Sequence, residues 1–116
     1  GVKLGVARGA GLAVPDHPSE TIGAIEEDLL ARDEWELSAI EVATETAKSL
    51  IVATALIERP DLAAEDALRW ALLEEHFQIE KWGMVEGEHD VSHSESLRWL
   101  EASQDFVQRR RSQAAV

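Results

Sequence analysis

Leu72-Leu73-Glu74-Glu75-His76-Phe77-Gln78-Ile79-Glu80-Lys81-Trp82-Gly83 is the stretch that decides how this chain is read. Leucine, glutamate, glutamine and lysine are strong helix formers. On a helix, Leu73, Phe77 and the Glu80-Lys81 pair fall about one turn apart, so the apolar residues share one side. Glu74, Gln78 and Lys81, at i, i+4 and i+7, take a neighbouring side. Gly83 is a natural left-handed stop. The stretch therefore predicts the end of an amphipathic helix with polar groups and Trp82 gathered at its carboxyl end.

Working outward, Arg59-Pro60-Asp61 interrupts the chain, because proline cannot continue the helical hydrogen-bond ladder. Asp61 is the expected cap of a helix over 62–82, buried through Leu62, Ala67, Trp70, Leu73 and Phe77. Upstream, Asp33 is the expected cap of one long helix over 34–58. Its apolar stripe runs Leu37, Ile40, Ala43 or Thr44, Ala47, Leu50 or Ile51, Thr54 and Ile57. Such a helix is roughly 37 Å long at about 1.5 Å per residue, enough to be a central spar. Pro18 or Ser19 opens a first helix that keeps a 3–4 spacing through Ile22, Ile25, Leu29 and Leu30.

Downstream, 83–91 reads as a loop, and Ser92-x-x-Glu95 as the capping box of a last helix ending near Arg110. Its stripe is Leu97, Leu100 with Trp99 beside it, and Phe106 or Val107. Trp70 and Trp99 read as core and Trp35 as a staple at a helix start. Trp82 reads either as a partly exposed anchor or as core. One core is expected to join Leu50, Trp70, Leu73, Phe77 and Leu100.

The fold class predicted is all-α: an irregular bundle of about four helices behind a glycine-rich linker. Residues 1–17 are linker, with Val2, Leu4 and Val6 able to form a short strand or a frayed terminus. Residues 18–111 are the helical domain, and 112–116 should fray.

Composition narrows the function. The chain has 116 residues, 45% hydrophobic and 29% charged, the balance of a globular domain rather than a disordered chain. Its net charge of -12 argues against nucleic acid and anionic membrane surfaces. The apolar run from Ser49 to Ile57 is far short of the about 20 residues that span a bilayer. With no cysteine there is no disulfide framework.

Adjacent acids such as Glu26-Glu27-Asp28 and Glu65-Asp66 are expected on solvated faces in a chain with 23 acidic residues. No glycine-rich phosphate loop or nucleophile motif accompanies them, so an enzyme is not expected. Glu86, Glu88, His89, Asp90 and His93 suggest a metal cluster with histidines at i, i+4. Placing His89 in a loop and His93 in the first turn of a helix leaves no dedicated third ligand, and no metal is expected. No cofactor is expected either.

The segment Leu72–Gly83, followed by Met84-Val85-Glu86-Gly87-Glu88-His89-Asp90, resembles the signature of the assembly chaperones that bind the α subunit of the ATP synthase catalytic head. The core of the resemblance is Gln78-Ile79 followed by Trp82-Gly83. Trp35, Glu41, Ala47-Lys48-Ser49 and Leu56-Ile57 support it by order and spacing over about residues 5–107. His76 and Gly87 depart from the family pattern, which usually has an acidic and an aromatic residue there.

The resemblance implies a helical domain that normally follows a β-rich one, of which 1–17 would be a remnant. It further implies a mitochondrial matrix location and a partner surface at Glu74, Glu75, Gln78, Lys81, Trp82 and Gly83, with Glu74 central. The implied function is binding the unassembled α subunit. The alternative is a permanent structural accessory subunit, held by neighbouring subunits of a large mitochondrial complex.

Overall fold

The computed structural model describes residues 2–6, 16–73, 77, 80 and 88–114, and the side chains of all of these except 88–91. Among the described residues there are five helices and no strands. They are α1 (Ser19–Leu30), α2 (Glu34–Ala47), α3 (Leu50–Glu58), α4 (Ala64–Ala71) and α5 (Glu88–Ala114). The all-α expectation holds. The chain divides into two units, 1–33 and 34–116.

In the first unit, Pro18 rather than Ser19 is the N-cap residue of α1, and it makes no side-chain capping bond. The strand option for Val2-Leu4-Val6 is not realised; residues 2–6 carry no regular structure. They are tied to α1 by specific bonds instead. The Gly5 N–H donates to His17 Nδ1 at 3.0 Å, and the buried Thr21 hydroxyl donates to the Lys3 carbonyl at 2.6 Å. A Cβ on Gly5 would collide with the Asp16 carbonyl, so this close approach needs glycine. Of the apolar stripe expected on α1, Ile25 and Leu29 are half-buried while Ile22 and Leu30 are exposed.

In the second unit the long spar expected over 34–58 is broken. Lys48 adopts a left-handed conformation with φ of 57°, which ends α2. Ser49 then caps α3, its hydroxyl accepting from the Val52 N–H at 3.2 Å. Serine competes well for a helix N-terminus, and that local bond offsets the strain of the left-handed step. The spar of the unit is instead α5, 27 residues long. Ser92 lies inside it, so the predicted capping box is not used, and the helix runs on to Ala114 rather than ending near Arg110.

The core joins Ala43 and Ala47 of α2, Ala53 and Leu56 of α3, Ala64, Ala67 and Leu68 of α4 with Leu62 before it, and Leu100 of α5. Alanine at most of these positions lets the helix axes approach closely. Around it, Ile40, Ile57 and Val107 are also buried, while Leu37 and Ile51 are exposed.

The helix expected over 62–82 carries the main correction. Trp70, Leu73 and Phe77 are 46%, 62% and 60% exposed, so they do not join Leu100 in the core, and Leu50 is only half-buried. Ala67 is fully buried, as expected. Leu62 is buried, but it sits in the turn before α4, whose N-cap residue is Ala63. That turn has Pro60 in second position and closes with the Leu62 N–H donating to the Arg59 carbonyl at 3.0 Å. The face that α4 buries is Ala64, Ala67 and Leu68, with Ala71 half-buried.

Asp61 is not the cap. It pairs with Arg59 at 3.2 Å. The hydrogen bond from Arg59, a backbone N–H and the guanidinium charge together hold the Asp61 carboxyl below the usual aspartate range.

Polar side chains of α5 lock the end of α3. Gln104 Nε2 lies within 3.2 Å of the Leu56, Arg59 and Leu62 carbonyls, and Gln108 Nε2 donates to the Ile57 carbonyl at 3.3 Å. Arg111 bridges Glu58 at 3.0 Å and Glu36 at 3.0 Å, tying α5 to both α3 and α2. Partial burial disfavours the Arg111 charge, but hydrogen bonds to the two carboxylates outweigh it and raise the guanidinium pKa further.

Candidate partner-binding surface

Trp70 lies in α4, which ends at Ala71 with Leu72 as its C-cap residue, so the single helix expected over 62–82 is interrupted there; Leu73 and Phe77 are helical beyond the break. The side chains of all three are exposed. The other face of α4 is committed to the core through Ala67 and Leu68, which fixes the direction in which Trp70 points. Glu65, Asp66 and Arg69 are the charged residues of α4, with Arg69 and Asp66 paired at 3.3 Å. Glu80, further along, is exposed and helical.

Glu74, Glu75, Gln78, Lys81, Trp82 and Gly83, the residues singled out in the sequence, lie outside the described residues, as do Met84–Gly87. What is described is the set of apolar residues that alternates with them. Sequence reasoning assigned these to the core; the signal that finds them is the alanine periodicity of 64, 67 and 71, which competes with the aromatic one.

The loop expected at 83–91 is helical from Glu88, so His89 and His93 both belong to α5 at i, i+4. The reason given for setting a metal aside, His89 in a loop, therefore does not stand. Among the described residues no three His, Cys, Asp or Glu side chains gather into a metal site. His93 instead borders a shallow cavity of about 170 Å³ with Glu65, Arg69, Leu72 and Leu97. Among the described residues no helix is long and apolar enough to cross a membrane.

Trp99 departs from its expected role as well. Trp99 is 53% exposed rather than core. Trp35 packs on α5, its ring 6.4 Å from that of Phe106 and 5.6 Å from the Arg110 guanidinium.

In class, then, this is an all-helical protein whose described surface carries solvent-facing aromatic and aliphatic side chains. Over 67 aligned residues it is 37% identical to Protein ATP12, mitochondrial, of Saccharomyces cerevisiae. The match takes in 49% of this chain but 21% of the yeast protein, so the chain spans about a fifth of that relative. No family model matches the chain, and no solved structure matches it.

Proposed function

We propose that this chain is an assembly-chaperone domain that binds the unassembled α subunit of the mitochondrial ATP synthase catalytic head, in the matrix, without catalysing a reaction. The observation that carries this reading is the exposure of Trp70, Leu73 and Phe77, large apolar residues that lie in sequence at the start of the signature segment containing Glu74 and Gln78. An unassembled subunit exposes an apolar face that would otherwise drive aggregation, and exposed large apolar side chains cover such a face. Likeness to a mitochondrial protein, ATP12, supports the reading. So does the net charge of -12, which speeds encounter with a basic surface and keeps the binding reversible.

The test is copurification. The tagged protein should recover free α subunit and not the mature complex. Stoichiometric recovery with a mature complex would instead establish the permanent accessory subunit. At residue level, Glu74→Lys and Trp70→Ala should each sharply reduce capture, with melting nearly unchanged. Glu65→Lys, on the exposed first turn of α4, is the control. Equal capture by Glu74→Lys and the control would remove Glu74 from the partner surface.

A further inference from the structure

A second apolar surface lies on α2 and α5. These helices run antiparallel, since Trp35 and Glu36 at the start of α2 meet Phe106 and Arg111 near the end of α5. Between them is an open groove of about 290 Å³ with a floor of Ser38, Ala39, Val42, Ala102 and Ser103. Trp99 and Phe106, 53% and 41% exposed, form its wall.

The two serines do not make the floor polar. The Ser38 hydroxyl donates to the Glu34 carbonyl at 2.9 Å and the Ser103 hydroxyl to the Trp99 carbonyl at 2.8 Å, so each is satisfied within its own helix. A small polar ligand would find few partners there. An extended peptide would find none for its backbone, because both walls are helices whose backbone groups are already paired. A helix brings its own backbone bonds and needs only apolar contact.

Charge selects the kind of helix. Glu34, Glu41 and Glu45, at i, i+7 and i+11, form a line of exposed carboxylates along α2 just outside Ser38 and Val42. The α5 edge carries Glu95, Arg98, Asp105 and Arg109, two of each sign, with Asp105 and Arg109 paired at 2.7 Å. The groove is therefore acidic on one edge and balanced on the other.

We infer that the groove between α2 and α5 docks an amphipathic helix of a partner protein whose apolar face is flanked by Lys or Arg on the side that meets α2. A second copy of this chain is a poor occupant, because each copy carries a net charge of -12. This surface does not include Trp70, Leu73 or Phe77, so it stands or falls independently of the proposed function.

The test uses a fluorescein-labelled helical peptide of leucine and lysine about 18 residues long, with leucines at i, i+3, i+4 and i+7, followed by anisotropy. A peptide with glutamate in place of lysine is the comparison. The lysine peptide should bind and the glutamate peptide should not. Ala102→Leu, which fills the floor from an exposed position, and the double change Glu41→Lys with Glu45→Lys should each weaken binding by about tenfold. Glu26→Lys with Glu65→Lys, an equal change of charge elsewhere, should leave it within about twofold.

Equal weakening by that control pair would show attraction to net charge alone and overturn the inference. Unchanged binding by both Ala102→Leu and Ser38→Leu, with helicity intact, would place the peptide elsewhere and do the same. A concentration-dependent dimer abolished by Ala102→Leu would assign the groove to a second copy instead.

Discussion

The Gln104 side-chain amide lies 2.8 Å from the Leu62 carbonyl, across 42 residues of sequence, and so ties α5 to the turn between α3 and α4. The same Nε2 approaches the Leu56 and Arg59 carbonyls at 3.1 and 3.2 Å. One amide group has two protons, so three carbonyls share two donors around this turn. The end of a helix leaves its last carbonyls without partners, and Gln104 supplies them from outside.

Gln104→Leu keeps the bulk but removes the side-chain donor from the Leu56 and Leu62 carbonyls, while the Arg59 carbonyl keeps the Leu62 N–H. The expected loss is about 1–3 kcal/mol in chemical denaturation. Gln104→Glu replaces the donor with an acceptor and should lose at least as much at neutral pH. A neutral outcome for both would mean that water serves the turn equally well.

Phe77→Ala should cost less than about 1 kcal/mol, since Phe77 is 60% exposed. Leu100→Ala, at a fully buried position, should cost about 2–5 kcal/mol. Urea denaturation of the two variants side by side checks directly whether Phe77 lies outside the core. A larger loss for Phe77→Ala than for Leu100→Ala would restore the aromatic face to the core.

Lys48, with φ of 57°, occupies a conformation that favours glycine. Lys48→Gly should therefore be neutral or stabilising by up to about 1 kcal/mol, and Lys48→Val clearly destabilising. Ser49→Ala, which removes the α3 cap, should cost about 1 kcal/mol. A strongly destabilising Lys48→Gly would show that α2 and α3 form one continuous helix after all.

The Asp61 carboxyl is held low by Arg59, so the pair favours the folded state above the ordinary aspartate pKa. That contribution is lost as pH falls through the lowered folded-state value. An NMR titration should find the Asp61 midpoint below that of an unpaired aspartate, and Arg59→Ala should return it upward. An unchanged midpoint in Arg59→Ala would assign the shift to the backbone N–H alone.

Much of the local framework was readable in the residues. Pro60 broke the chain where expected, Asp33 preceded α2, and helix-forming composition meant helices. These features act over a turn or less, so neighbours in sequence suffice to determine them. The Lys48-Ser49 break was within reach, because serine is a strong N-cap, but an uninterrupted apolar stripe on either side concealed it. The candidate site is legible only as a segment: the sequence marks Trp70, Leu73 and Phe77 but assigns them to the core, whereas all three are exposed.

What the sequence determined by itself is therefore an acidic, all-helical chain with its main proline break and most of its helical segments. The tertiary structure decided which face each helix buries. On α4, Trp70 competes with Ala64, Ala67, Leu68 and Ala71 for the interior, and hydrophobicity alone favours the tryptophan. The alanine face prevails because small side chains let α4 lie close to α3 and α5, gaining contact along its whole length. That choice depends on partners tens of residues away, and it is what leaves Trp70 exposed.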